Sequence, residues 1–289
     1  LTRSSAASDV YKRQILMSEN KINEMSFLDH LEDLRWHILR CVFAILVGGF
    51  IAFISKDFIF DKVLFGPKNI DFFTYDLLCN ISNSIGLDDS FCISEMPFRI
   101  QSRTMSGQFS AHIWMSITAG FILSFPYILY QFWSFISPGL YQNEKRNARG
   151  FIFISSILFF IGVLFGYYIV TPLSINFLGS YTVSNEIFND FDLDSYVGLV
   201  RSAVVASGLI FELPIIIYFL TKIGLVTPEI MVKYRKFALV IVLILSAIIT
   251  PPDIASQIIV AIPIIVLYQI SIYISKFVIK NEHKKNTTK

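Results

Sequence analysis

Charge is scarce in this chain. Of its 289 residues only 16% are Asp, Glu, Lys or Arg, against roughly a quarter in soluble domains. Histidine (4) and cysteine (3) are few as well, and neither a CxxC pair, a histidine cluster nor a glycine-rich phosphate loop occurs. Metal centres, haem and nucleotide sites therefore have no motif to rest on, and no metal or cofactor is expected. No nucleophile stands beside a base, so the chain does not read as an enzyme, and no nucleic-acid partner is expected.

Apolar sequence takes the place of charge: 54% of residues are hydrophobic and 15% aromatic, and the mean hydropathy is +0.60. A helix needs about 20 mostly apolar residues to cross the hydrocarbon core, and six windows approach or meet that length: 38–54, 109–133, 151–170, 197–220, 237–250 and 254–274. Lipid offers no partner for backbone polar groups, so each is expected to be a helix. The fold expected is an all-α, polytopic, six-span membrane domain over 17–289, with an outer loop at 55–108. Residues 1–16 read as a leader outside the fold, artefactual or disordered, with translation starting at Met17 or Met25.

Basic residues set the orientation. Arg35, Arg40, Lys145, Arg146, Arg149, Lys222, Lys233, Arg235, Lys236 and Lys276 flank one set of span ends, whereas 171–200 and the turn 251–253 carry no Lys or Arg, and 55–108 only a diluted few. Both termini are therefore expected on the cytoplasmic side. The fifth window, 14 apolar residues, is short for a bilayer. Pro126, Pro214 and Pro263 inside other windows are expected to kink or break their helices, giving a bent, concave bundle.

Polar residues stand out against this background. HLEDLRWHILR (30–40) sets Glu32, Asp33 and Arg35 just before the first window, with Leu28, Leu31, Leu34 and Ile38 at helical spacing. SPGLYQNEKRNARG (137–150) breaks the second window with Pro138 and Gly139 and leads through Glu144 into a basic cluster. Asp33 and Glu144 could simply serve helix N-termini. LIFELPIII (209–217) buries Glu212 in mid-window, at an insertion cost of about 2.5–3.5 kcal/mol for an ionisable group. A neutral, hydrogen-bonded acid packed in the bundle is one reading of it; a functional group is the other. Asp253, in TPPD, is placed to cap the last helix. Arg201 reads as snorkelling outward, within reach of Glu186, Asp190, Asp192 and Asp194. His112 reads as structural and Cys41 as an apolar filler. Cys79 and Cys92 share the outer loop and could close a disulfide in an oxidising compartment.

HLEDLR, FPYILYQFWSFISPGLYQNEKR, FELPI and TPPDIASQ, in that order and on those windows, resemble the TatC family, the multispanning core of the twin-arginine protein translocase. The resemblance runs from about Phe27 to Lys276. One departure is visible: the family usually has HLxELR, and Asp33 stands at the Glu position, one methylene shorter. The resemblance implies a subunit of the bacterial cytoplasmic (inner) membrane, forming homo-oligomers within a complex with single-span partners of the TatA or TatB kind. Folded cargo would dock through twin-arginine signal peptides and cross at the expense of the proton-motive force. It further implies that Asp33 and Glu144, with Phe135 and Gln131, bind the signal peptide, and that Glu212, Pro214 and Asp253 contact a partner helix. A guanidinium fork on a carboxylate suits the first role, since lysine, a point charge, fits less well. The competing class is a proton-coupled small-molecule transporter, with Glu212 as proton carrier and the kinked helices as its gate.

Overall fold

The computed structural model describes residues 27–85, 92, 96–136, 148–184, 186–250 and 253–287. Helix α1 (Phe27–Ile54) opens it, carrying the amphipathic stretch and the first window without a break. Helix α2 (Phe73–Ile85) and strand β1 (Phe98–Gln101) lie in the loop that follows, and α3 (Gly107–Ile136) comes next. Helices α1 and α3 form the most extensive helix pair, and the reason is glycine. A Cβ on Gly120 would sit 2.4 Å from the Gly49 nitrogen and 2.5 Å from the Ile45 oxygen. Only a missing side chain lets the two backbones meet this closely, the usual means of helix association in lipid, where burial of apolar surface gives no drive. The Ser124 hydroxyl adds a bond to the Ala44 carbonyl at 2.8 Å.

Helix α4 (Ala148–Phe165) runs into a π-helical segment, Gly166–Val170, and then α5 (Thr171–Ser180). The wider π turn closes with the Thr171 N–H donating to the Gly166 carbonyl, which also accepts from the buried Thr171 hydroxyl at 2.8 Å. Strand β2 (Asn189–Asp192) leads into α6 (Leu193–Phe211), whose Ser207 and Gly208 backbone closes on Gly162 as α1 closes on Gly120. The chain then breaks at Glu212 and resumes as α7 (Leu213–Lys222). A turn with Gly224 at φ 78° precedes α8 (Pro228–Lys233), α9 (Arg235–Ile249) and α10 (Ile254–Thr287). Helix α10 packs along α7, where the Thr221 hydroxyl reaches Ser275 at 2.9 Å.

Among the described residues five helical stretches are long and apolar enough to cross a membrane: 31–54, 107–136, 150–180, 193–222 and 256–281. The fifth window is a helix too, but α9 has 15 residues and spans about 22 Å at 1.5 Å per residue, short of a 30 Å core. The three prolines differ from one another. Helices α3 and α10 continue through Pro126 and Pro263, so only Pro214 marks a break. Pro214 sits in the first turn of the new helix α7, where a missing N–H costs nothing.

The outer loop is not a featureless connector, and the all-α expectation is corrected there. β1 and β2 pair in parallel, Phe98 opposite Asn189 and Gln101 opposite Asp192. Tyrosines tie this cap to the spans: Tyr196 donates to the Leu64 carbonyl at 2.9 Å and Tyr167 to Val63 at 2.8 Å. Tyr75 on α2 donates to the Pro67 carbonyl at 2.7 Å, and burial pushes its hydroxyl pKa up, which keeps it a donor. A disulfide joins Cys79 to Cys92 with the Cα atoms 4.5 Å apart. The largest buried cluster sits beneath the cap, between the ends of α1, α3 and α6, with Leu64, Ala111, Tyr196 and Val200 at its centre.

Candidate functional site

Two polar sites stand out, at opposite depths. The first joins the start of α1 to the end of α3. Asp33 is exposed on α1, and His37, one turn further on, shares its face. The His37 Nδ1 lies 2.6 Å from Gln131 Oε1; an amide oxygen can only accept, so that ring nitrogen carries the proton. Gln131 is buried at 4% exposure and passes the chain of bonds on, its Nε2 donating to the Tyr127 hydroxyl at 2.7 Å. The Phe135 ring meets the His37 ring edge-on, centroids 6.0 Å apart. The structure thus brings Gln131 and Phe135 to the face of α1 that bears Asp33. Glu144 lies outside the described residues, in the stretch 137–147 that continues from α3.

His37 and Tyr127 were missed in the sequence. The available signal was spacing: His37 follows Asp33 by one helical turn, and Tyr127 precedes Gln131 by one. Without knowing that α1 and α3 pair, nothing joins the two.

The second site lies in mid-membrane sequence. Glu212 closes α6 and precedes α7, so its backbone N–H bonds back to the Leu209 carbonyl at 3.2 Å rather than continuing the α pattern. Its side chain is 7% exposed. Ser155, on α4, donates to Oε2 at 2.5 Å, while the buried Oε1 has no hydrogen-bond partner among the described residues. The carboxyl group is enclosed between α4 and the α6–α7 break, with Pro214 immediately beyond. Ser155 was not singled out from sequence. It sits beside Ser156, and only the fold separates them, since Ser156 bonds to its own helix at Ile152.

Comparison with known proteins agrees with the motifs. The family model for TatC, Sec-independent protein translocase protein, matches residues 29–263. A curated TatC from Blattabacterium sp. subsp. Periplaneta americana is 43% identical over 265 residues, covering 91% of this chain and all of that protein. TatC of Aquifex aeolicus is 34% identical over 87% of this chain and 95% of its own length. Two crystal structures of the twin-arginine translocase receptor TatC superpose with TM-scores of 0.62 and 0.66 at 33% and 34% identity, covering 86% and 85% of this chain and 99% of each. The chain belongs to the TatC family.

The chain is thus a multi-pass membrane component of the twin-arginine protein translocase, and the small-molecule transporter reading falls away. Asp33, Gln131, Phe135, Glu144, Glu212, Pro214 and Asp253 all lie within the matched region. In this TatC chain Asp253 caps α10: its Oδ2 accepts from the Ser256 N–H at 2.8 Å and the Ser256 hydroxyl at 2.7 Å. Arg201 takes an arrangement different from the expected acids, its guanidinium lying 4.8 Å over the Trp114 ring, where an indole face in an apolar setting offers an attraction that needs no second charge. His112 stacks on Phe53 at 3.9 Å and meets the Phe53 carbonyl at 3.1 Å, a packing role. Among the described residues no cluster of metal-ligating side chains occurs.

Proposed function

We propose that this chain is the receptor core of its translocase, with six crossings, α9 being the short fifth, and both termini on the cytoplasmic side of the bacterial inner membrane. The Lys/Arg distribution supports this orientation. At the cytoplasmic end of α1 and α3, Asp33 and Glu144 accept the two arginines of a signal peptide, each carboxylate taking one guanidinium fork. Phe135 and the face of Gln131 receive the apolar residues that follow. The observation that carries this reading is the His37–Gln131 bond with the Phe135 contact, which locks the Asp33 face of α1 against the end of α3 leading into Glu144. That both neighbouring structures are of twin-arginine translocase receptors supports it.

Glu212 is proposed to meet a polar group on a single-span TatA- or TatB-type helix. Its Oε1 has no hydrogen-bond partner among the described residues, and the chain breaks between helices just before Pro214. Asp253 and Pro214 flank this contact in the proposal. The chain works as one of several TatC copies, and transport of folded cargo draws on the proton-motive force.

Charge reversal tests recognition. Asp33→Lys and Glu144→Lys are each expected to lower binding of a twin-arginine peptide to membranes by at least about tenfold, the scale of a lost charge-assisted bidentate pair, while the protein still inserts. Asp33→Glu is expected to bind normally, since it restores only reach. Undiminished binding in the double reversal removes the assignment.

A further inference from the structure

The outer ends of α1, α3 and α6 surround a cavity of about 790 Å³ whose lining includes none of the residues proposed above for signal-peptide or partner-helix contact. Its walls hold two lysines and two carboxylates, Lys56, Asp57, Asp61 and Lys68, around the rings of Phe60 and Phe65. Lys56 follows the last turn of α1 and Lys68 ends the short 3₁₀ turn at 66–68, so both cations come from the segment that caps the spans. Among the described residues none of the four forms an ion pair; the Lys68 ammonium instead lies 5.9 Å from the Phe98 ring centroid. Opposite charges are thus gathered on one cavity without cancelling each other.

We infer that this cavity binds the zwitterionic headgroup of an outer-leaflet aminophospholipid, phosphate on Lys56 and Lys68, ammonium on Asp57 and Asp61. Three observations converge on that ligand class. The site lies where spans leave the apolar layer: Phe109, 63% exposed, lines its edge, and Phe58, 59% exposed, stands in the same segment, the interfacial position aromatic rings favour. Its volume falls in the range of small-ligand sites, with an apolar floor and a few polar groups to fix orientation. Its charge is balanced, which decides the sign of the ligand. A purely anionic headgroup would meet the lysines but be opposed by both carboxylates; a headgroup carrying phosphate and ammonium satisfies all four. The inference rests on the proposed orientation of the spans and is independent of the recognition site at the other end of α1 and α3.

The test uses the full chain in nanodiscs holding equal parts phosphatidylethanolamine and phosphatidylglycerol, with native mass spectrometry of the lipids kept after mild delipidation. Wild type is expected to retain phosphatidylethanolamine preferentially. Asp57→Asn with Asp61→Asn is expected to reduce that preference about fivefold, what two partly exposed charge pairs supply, and Lys56→Gln with Lys68→Gln to reduce retention of both lipids. Asp76→Asn, an exposed acid on α2 away from the cavity, is expected to change nothing. Soluble glycerophosphoethanolamine in excess should compete only weakly, since it lacks the chains. No preference in wild type, preference surviving the Asp57/Asp61 change, or an equal loss with Asp76→Asn would each overturn the inference; full competition by the soluble headgroup would replace the lipid by a free phosphoester. Unchanged melting temperatures in detergent certify that the variants are folded.

Discussion

Glu212 has one oxygen bonded to Ser155 at 2.5 Å and the other without a partner among the described residues. This asymmetry separates two substitutions. Glu212→Gln keeps an acceptor for Ser155 and should leave the melting temperature in detergent nearly unchanged. Glu212→Ala strands the Ser155 hydroxyl in a buried site and should cost about 1–3 kcal/mol. Both should weaken crosslinking from a neighbouring α7 position to a single-span partner in membranes, Ala more than Gln. Lost stability with unchanged partner crosslinking would leave Glu212 a packing residue. At this scale the sequence was informative wherever a charge interrupts or borders an apolar run, which is why Asp33 and Glu212 were legible. His37 and Ser155 were not, because each acquires its role from a residue about sixty or more positions away in sequence.

Among elements, closeness of helices is set by small residues. Gly120 touches the α1 backbone, so Gly120→Ala forces α1 and α3 apart and should destabilise by about 1–3 kcal/mol, the range for overpacking a filled interior. Gly198, also helical, has nothing within 4 Å of its Cβ position; Gly198→Ala should be neutral or stabilise by up to about 1 kcal/mol through helix propensity. Thermal melts of the two purified variants decide between them, and equal effects would contradict close packing as the cause. Sequence periodicity located the spans but not their breaks. Pro214 and Pro126 look alike in a sequence, yet α3 runs on through Pro126 while the chain breaks before Pro214. The difference lies in neighbours, not in proline. The outer cap was legible only in its cysteines. Cys79 and Cys92 should resist maleimide labelling on intact membranes and become reactive after reduction, the bridge being worth about 3 kcal/mol for a loop of this size; free thiols at both positions under oxidising conditions would contradict it. The parallel β1–β2 pair carried no signal, since its strands lie far apart in the chain and each is four residues long.

At the scale of the molecule, the charge pattern and the order of four motifs carry the family, while the pairing of α1 with α3 and of α4 with α6 carries the sites. The cluster joining the start of α1 to the end of α3 and the Glu212 niche lie on different helix pairs, so the proposed signal recognition and partner contact are separable: damage at Glu212 should leave peptide binding intact. The most direct measurement of the central claim is photocrosslinking in membranes from a reactive residue at position 144, and in a second variant at position 33, to a radiolabelled signal peptide. Both positions are predicted to crosslink to a peptide carrying two consecutive arginines, and to lose the product when the pair is changed to lysines. Equal crosslinking to the twin-lysine peptide, or none from either position while cargo is still exported, would contradict recognition by Asp33 and Glu144.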